Sequence, residues 1–420
     1  MSKTIKPFAA LLLASATIAA APPAPHWVAT WTSAQQIPEP QNAAASDDLH
    51  DATLRQIVHV SAGGRQLRVR FSNAFGTAPL AIDGAHVALA RAPSGAALIG
   101  GSDRALLFGG AAGVVIPVGA DYWSDPVDLD VRAGADLAIS LHLPDAPARQ
   151  TGHPGSRSTS YILAGAHGGD GDLPGAKTID HWYQLASVEI AAPSRAGAVV
   201  AFGDSITDGH GASTNGNDRW PDDLAARLQA DPRTASVSVL NAGIGGNRLL
   251  QDGLGPNALA RFDRDVLTPA GVRTVLVLEG INDLGTLTRE HPVGAADHAA
   301  LVAAMIGAYR QMIARAHAHG VRIVGCTVMP DGGSGYYHPD AANEADRQAV
   351  NDWIRRPGHF DAVVDFDAVV RDPADARRLR AAFDSGDHLH PSPAGYRAMA
   401  DAIPVALFAD QTDAGQTHRR

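Results

Sequence analysis

The sequence predicts two domains of different class: an all-β sandwich, jelly-roll-like, followed by a three-layer α/β/α domain built on a parallel sheet. Three observations carry this. At 420 residues the chain is too long for one ordinary domain. Residues 26–192 hold short runs of alternating apolar and polar residues, separated by Gly, Pro, Asn and Asp clusters, with no long helical period. Residues 196–409 alternate apolar strands with amphipathic stretches, the pattern of a parallel sheet covered by helices on both faces.

Taken in order, residues 1–21 read as an export signal. Lys3 and Lys6 give a basic start, Phe8 to Ile18 an apolar centre, and Ala19-Ala20-Ala21 a small-residue cleavage region. The apolar run is too short for a stable membrane anchor, so a secreted or periplasmic protein is expected. In the β domain, strands are expected at Leu54–Val60, Leu67–Phe71, Ala81–Leu89, Gly113–Val118, Ala135–Leu141 and Trp182–Ile190. Leu67-Arg68-Val69-Arg70-Phe71 alternates strictly, as a half-buried strand does. The pattern changes at Ala191-Ala192-Pro193-Ser194-Arg195. Beyond it come strands at Val199–Phe202, Val237–Asn241, Thr274–Glu279, Arg322–Val328 and Ala362–Asp365. Helices are expected at Trp220–Gln229, Asn257–Val266, Ala296–His319, Glu344–Arg355 and Pro393–Leu407. Residues 410–420 are polar and expected to be a disordered tail.

Composition narrows the function. With 45% hydrophobic residues the chain can build substantial cores, and a formal charge of -10 argues against a nucleic-acid partner, which would need a basic face. Neutral substrates such as sugars or esters stay open. Cys326 is the only cysteine, so no intramolecular disulfide forms. It sits in the apolar run Val321–Val328 and reads as a buried, inert thiol. There is no Walker P-loop and no Gly-x-Ser-x-Gly elbow. Gly253-Leu254-Gly255-Pro256-Asn257-Ala258 fits a dinucleotide fingerprint loosely, but it does not directly follow a strand.

Four segments at predicted strand ends carry side chains suited to chemistry. Gly203-Asp204-Ser205-Ile206-Thr207-Asp208-Gly209 follows the first apolar strand of the second domain, where open α/β sheets place ligands. Gly203 permits a sharp turn and Ser205 stands as a nucleophile, although a serine in such a turn is often only structural. Asn241-Ala242-Gly243-Ile244-Gly245-Gly246-Asn247 frees its backbone to approach a ligand, so that an N–H of Gly246, or of its neighbours Gly243 and Gly245, faces a developing oxyanion. In Glu279-Gly280-Ile281-Asn282-Asp283, the Asn282 amide is an uncharged donor for the same purpose, or else a cap or turn residue. Asp387 and His390, three apart, let a turn bring the carboxylate to the imidazole Nδ1, leaving Nε2 free for a serine proton. Ser392 caps the helix expected from Pro393. His388 and Asp384 are the decoys beside this pair. They could hold a metal, but no other cluster has ligand spacing, and no metal is expected.

In order and spacing, these four blocks resemble the signature blocks of the SGNH (GDSL) hydrolase superfamily over about Ala198–Ala409. The resemblance implies that Ser205 is the nucleophile, His390 the general base and acid, and Asp387 its orienter. It implies an oxyanion hole formed by the Ser205 N–H, the Gly246 N–H and the Asn282 side chain, and no metal or organic cofactor. A β-rich domain ahead of this one is similar to the group related to xylanase-associated esterases.

The reaction expected is two-step acyl transfer through Ser205, with water releasing the acyl group. The expected substrate is an acylated carbohydrate carrying acetyl or another short acyl group, because no long apolar lid is evident around Asp252–Pro256 or Asp331–Asp340. Tyr336, Tyr337 and His338, with His153 from the first domain, are rim candidates for sugar contacts, against the alternative of ordinary surface loops. The rival substrates are longer-chain esters, cut by a lipase, lysophospholipase or arylesterase. A non-catalytic carbohydrate-binding protein is the rival from another class, and it would have no need of Asp387 beside His390.

Overall fold

The computed structural model describes residues 25–409; the export signal expected at 1–21 and the tail at 410–420 lie outside the described residues.

The alternation in the first part of the chain folds into two large antiparallel sheets and two two-stranded ladders, Leu80–Ile82 with Val114–Ile116 and Gly152–His153 with Trp182–Tyr183. One large sheet has the order His26–Thr32, Leu185–Ala192, Gly64–Ser72, and the last of these pairs with both Asp121–Trp123 and Val127–Val131. The other has six strands in the order Lys177–Ile179, Ser160–Ala164, Ala52–His59, Asp136–Leu143, Gly84–Leu89, Arg104–Leu106. Leu54, Val58 and Leu137 of the larger sheet meet Leu67, Val69 and Val188 of the smaller in one apolar core. Alternate positions thus face inward, as the period of a strand requires.

The strand expected at Trp182–Ile190 is interrupted. Gln184 takes a left-handed backbone (φ 53°), so that Trp182–Tyr183 pairs with Gly152–His153 while Leu185–Ala192 stays in the smaller sheet. That break anchors the segment Thr151–Thr159, which reaches the functional site.

The second part is a five-stranded parallel sheet in the order Val237–Gly243, Gly197–Gly203, Val272–Leu278, Arg322–Cys326, Ala362–Val364. Numbered along the chain this is 2-1-3-4-5, which places a crevice at the carboxyl ends of strands 1 and 3, where the crossovers diverge. Register sharpens the crevice: Gly203 pairs with Gly243 on one side and Leu278 on the other, so three strands end at one lip. Helices cover both faces. Trp220–Ala230 and Pro393–Ala402 lie on one, where Trp220 meets Phe366 at 5.7 Å. Ala258–Phe262, Ala295–Ala318 and Ala341–Arg355 lie on the other, where Phe202 packs edge-on against Phe262 at 5.5 Å. The helix expected to run to Leu407 stops at Ala402, because Pro404 cannot continue it and biases Ile403 to an extended backbone (ψ 118°).

The two parts join along one seam. Val28 and Ala29 of the first antiparallel strand belong to the apolar core of the parallel-sheet part. Ser238 Oγ donates to Ala29 O (2.6 Å), and Val239 N donates to Ser61 Oγ (3.0 Å). Among the described residues no helix is long and apolar enough to cross a membrane.

Candidate active site

Strand Gly197–Gly203 delivers the chain into a four-residue helical turn, Ser205–Asp208, capped by the Asp204 carboxylate, which accepts from Ile206 N (2.9 Å). The tight fit of this turn explains two glycines. A Cβ on Gly203 would lie 2.6 Å from Leu278 O, and one on Gly243 would lie 2.2 Å from Asp208 N. Gly203 is therefore needed for close approach to the neighbouring strand, and Gly243 to let the turn seat on strand Val237–Gly243.

Ser205 Oγ lies 2.8 Å from His390 Nε2, and His390 Nδ1 lies 2.6 Å from Asp387 Oδ2. Asp387 Oδ1 also accepts the backbone N–H groups of Leu389 (2.9 Å) and His390 (2.8 Å). Partial burial opposes charge on Asp387, but the His390 hydrogen bond and these two amides outweigh it and hold the carboxyl well below its ordinary range. A carboxylate so fixed keeps the His390 proton on Nδ1 and presents Nε2 as an acceptor to the serine hydroxyl.

Candidate donors line the same pocket. The Ser205 N–H opens its helical turn, where an amide has no intrahelical acceptor. Gly246, left-handed at φ 67°, lines the pocket with Gly245 and Asn282. Asn282 Nδ2 donates one proton to Asn247 O (2.7 Å), while Tyr337 Oη donates to Asn282 Oδ1 (2.5 Å). Since a backbone carbonyl can only accept, the amide orientation is fixed and its second N–H remains for the pocket. The pocket itself holds about 710 Å³.

Behind the donors lies a buried network centred on Arg261. Its guanidinium donates to Gly203 O (2.8 Å), Ala242 O (2.7 Å) and Asn247 Oδ1 (2.8 Å), tying together the ends of two strands and the loop that carries Gly246. It also meets Asp265 and Glu279, each at 3.1 Å, and lies over the Phe202 ring at 4.1 Å. Burial first, and then Asp204, pushes the Glu279 carboxyl well above its usual range, which suits a side chain whose Oε2 has no hydrogen-bond partner. Asp283 accepts from Leu249 N (2.8 Å) and Leu250 N (3.2 Å), and so fastens the Asn282 turn to the Gly246 loop.

Residues 201–398 match the model of the GDSL-like Lipase/Acylhydrolase family. The C-terminal domain belongs to this family, within the SGNH superfamily. The protein is accordingly a hydrolase with esterase activity. Solved structures similar to the acylhydrolase domain include a GDSL-like lipase from Bacteroides thetaiotaomicron, 21% identical, covering 50% of this chain and 87% of its own, with a TM-score of 0.35. A variant of an acetyl xylan esterase from Geobacillus stearothermophilus is 22% identical, covering 52% of this chain and 97% of its own, with a TM-score of 0.36. No curated protein matches the chain.

The structure brings Ser205, Gly246, Asn282, Asp387 and His390 to one pocket of the acylhydrolase domain. Gly245 shares that pocket with Gly246, whereas Gly243 lies beneath the Ser205 turn. His388 lines the same pocket but is engaged elsewhere, with Nδ1 on Asp384 Oδ2 (2.5 Å), and Ser392 caps its helix through Gly395 N (3.3 Å). Cys326 is buried, and burial pushes its thiol well up. Of the rim candidates, Tyr336 is 59% exposed at the pocket mouth, with Arg289 Nη1 donating to its hydroxyl (3.0 Å). Tyr337 is instead buried as the partner of Asn282, and His338 does not line the pocket. His153 is not a rim residue either. It is buried at the seam, 2.8 Å from Asp208 Oδ1, because its ring fills the gap between Trp182 and the Ser205 turn. Sequence reasoning missed Arg261, His210 and Arg157, and saw in Tyr337 a rim residue rather than the partner of Asn282. Arg261 and Asp265, spaced i,i+4, look on paper like any surface ion pair on a helix.

Proposed function

We propose that the protein is a serine-dependent carboxylic ester hydrolase that removes acetyl or other short acyl groups from a carbohydrate, outside the cytoplasm. The observation that carries the chemistry is the line Asp387–His390–Ser205, with hydrogen bonds of 2.6 and 2.8 Å, ending beside the Asn282 amide. In this reading His390 takes the Ser205 proton as Oγ attacks the ester carbonyl. The Ser205 and Gly246 N–H groups and the Asn282 amide receive the oxyanion. His390 then protonates the departing alcohol, and water attacks the acyl-enzyme by the same route in reverse.

The short acyl group is supported by the walls. Glycines 245, 246, 333 and 335 with Ser334 make much of the lining, and its large apolar side chains are Leu254, Leu389, Tyr336 and Tyr337, without the run of aliphatic side chains that a long alkyl chain would need. The polar mouth beside Tyr336 and Arg289 suits a hydroxylated alcohol. One observation favours the second reading, an arylesterase: Leu254, 51% exposed, and Tyr336 offer apolar surface in a pocket larger than acetate needs.

The test is a panel of acetyl to long-chain esters plus acetylated xylan, run on wild type and Ser205→Ala. Acetyl esters and acetylated xylan should be turned over by wild type alone. A preference for octanoyl or longer esters would overturn the acyl assignment. Ester turnover surviving in Ser205→Ala would overturn the mechanism, and polysaccharide binding with no ester hydrolysis by wild type would favour a binding protein.

A further inference from the structure

We propose that the β-domain loop Thr151–Thr159 is a working part of the catalytic centre: Arg157 is a positioning residue that holds His210 in a single tautomer beside His390, and His153 is a second that braces the Ser205 turn from behind. This rests on the reading that Ser205 and His390 carry out ester hydrolysis.

The geometry of His210 makes the case. Its ring lies against that of His390, with centroids 4.0 Å apart and planes at 42°. Its Nε2 is 3.9 Å from Asp387 Oδ2, the oxygen that His390 Nδ1 engages at 2.6 Å. His210 is thus placed to compete with His390 for the carboxylate that orients it. Arg157 Nη2 lies 3.0 Å from His210 Nδ1, and Arg157 Nε donates to Gly209 O (3.2 Å). A guanidinium has no acceptor, so Nδ1 must accept, and the single ring proton sits on Nε2. Tyr396 Oη, from the last long helix, donates to His210 O (2.6 Å) and fixes the backbone beneath the ring.

The charges around His210 act in the same sense. Burial first, then His390 and Arg157, lower its titration to about 4, against the pull of Asp387 and Asp208. A neutral imidazole leaves Asp387 to His390. A protonated one would draw Asp387 towards itself and away from the general base.

The second contact lies on the opposite side of the nucleophile. His153 Nδ1 donates to Ala34 O (2.8 Å), its Nε2 meets Asp208 Oδ1 (2.8 Å), and its ring stacks on Trp182 at 5.7 Å. Asp208 closes the Ser205–Asp208 turn. Thr159 and Asn215 add a reciprocal pair, N to Oδ1 at 2.8 Å and Nδ2 to Oγ1 at 2.9 Å, joining the loop to the segment after the turn.

The test uses the full chain and the pH dependence of kcat/KM, because removing a seam residue can also unfold the protein, and the position of a pH limb does not depend on the folded fraction. In Arg157→Gln the lower break of the acid limb, where His210 gains its proton below the pH at which His390 does, should move to higher pH by about one unit. Arg157→Lys, which keeps the charge and a donor, should restore the limb. In a His210→Gln background, Arg157→Gln should move nothing further. An unmoved limb in Arg157→Gln, or equal movement in Arg157→Lys or in the His210→Gln background, would overturn the inference. Ser205→Ala separates the two levels. If it is inactive while Arg157→Gln matches wild type, only this inference fails; if it still turns over esters, the underlying reading fails first.

Discussion

The two domains meet the same pocket by different means. The parallel-sheet domain supplies the groups proposed to bear the chemistry: Ser205, Gly246 and Asn282 just beyond the carboxyl ends of strands, and Asp387 with His390 in the loop ahead of the last long helix. The antiparallel domain lines none of that pocket, yet Arg157 touches His210 on its wall and His153 touches Asp208 behind the Ser205 turn. A nucleophile and its base are dictated by a reaction, so their residue types and order are constrained. A brace need only fit its neighbours, so its residues have no characteristic spacing.

Breaking the chemical side should have the largest effect. Ser205→Ala and His390→Ala should each lower kcat by about a million-fold, measured on an activated acetyl ester, and a loss below about a hundred-fold would place the chemistry elsewhere.

On the supporting side, His153→Ala leaves the buried Asp208 carboxylate without its partner. Stability should fall by about 3–5 kcal/mol in urea unfolding, and a change under about 1 kcal/mol would make the seam contact incidental.

Asn282→Ala removes a donor from the oxyanion position and should reduce kcat by about a hundred- to a thousand-fold, with KM changed far less. A loss confined to KM would instead make Asn282 a substrate-binding residue. Tyr337→Phe deletes only the hydroxyl on Asn282 Oδ1 and should cost about 1 kcal/mol of activation energy, roughly fivefold in kcat. Equal losses from the two substitutions would mean that Tyr337 acts directly on the substrate.

The smallest effect is on stability against pH. Burial raises the Asp283 carboxyl to about 6, against the two amides of Leu249 and Leu250, whereas in the unfolded chain it titrates near about 3.9. Between these values the folded protein binds more protons than the unfolded one, so this contribution to stability is full below about pH 4 and declines as pH rises through 6. Asp283→Asn should flatten that part of the decline in urea midpoints measured from pH 4 to 7. An unchanged slope would show that Asp283 does not titrate there.

What the sequence disclosed follows the same division. The fold class was legible because strict alternation at Leu67–Phe71 and the strand–helix alternation after Ala196 are periodicities that burial imposes. Short strands such as Asp121–Trp123 and Lys177–Ile179 were not legible, since three half-exposed residues carry no period. The groups proposed to bear the chemistry stood out as four blocks read together, and the structure gathers them at one pocket. Tyr337 was legible only as a rim candidate, because its glycine-rich loop reads as surface, and Arg261 was hidden in a helix where its burial against Phe202 has no sequence signature. His153 and Arg157 were invisible as partners because their contacts, Asp208 and His210, lie 55 and 53 residues away in the other domain.

The activated serine can be tested directly by labelling with an alkyl fluorophosphonate, which reacts only with a nucleophilic hydroxyl, followed by peptide mass mapping of wild type and His390→Ala. The geometry predicts a single adduct on Ser205 in wild type and none in His390→Ala. An adduct on another residue, or an unlabelled Ser205 in protein that still hydrolyses esters, would contradict it.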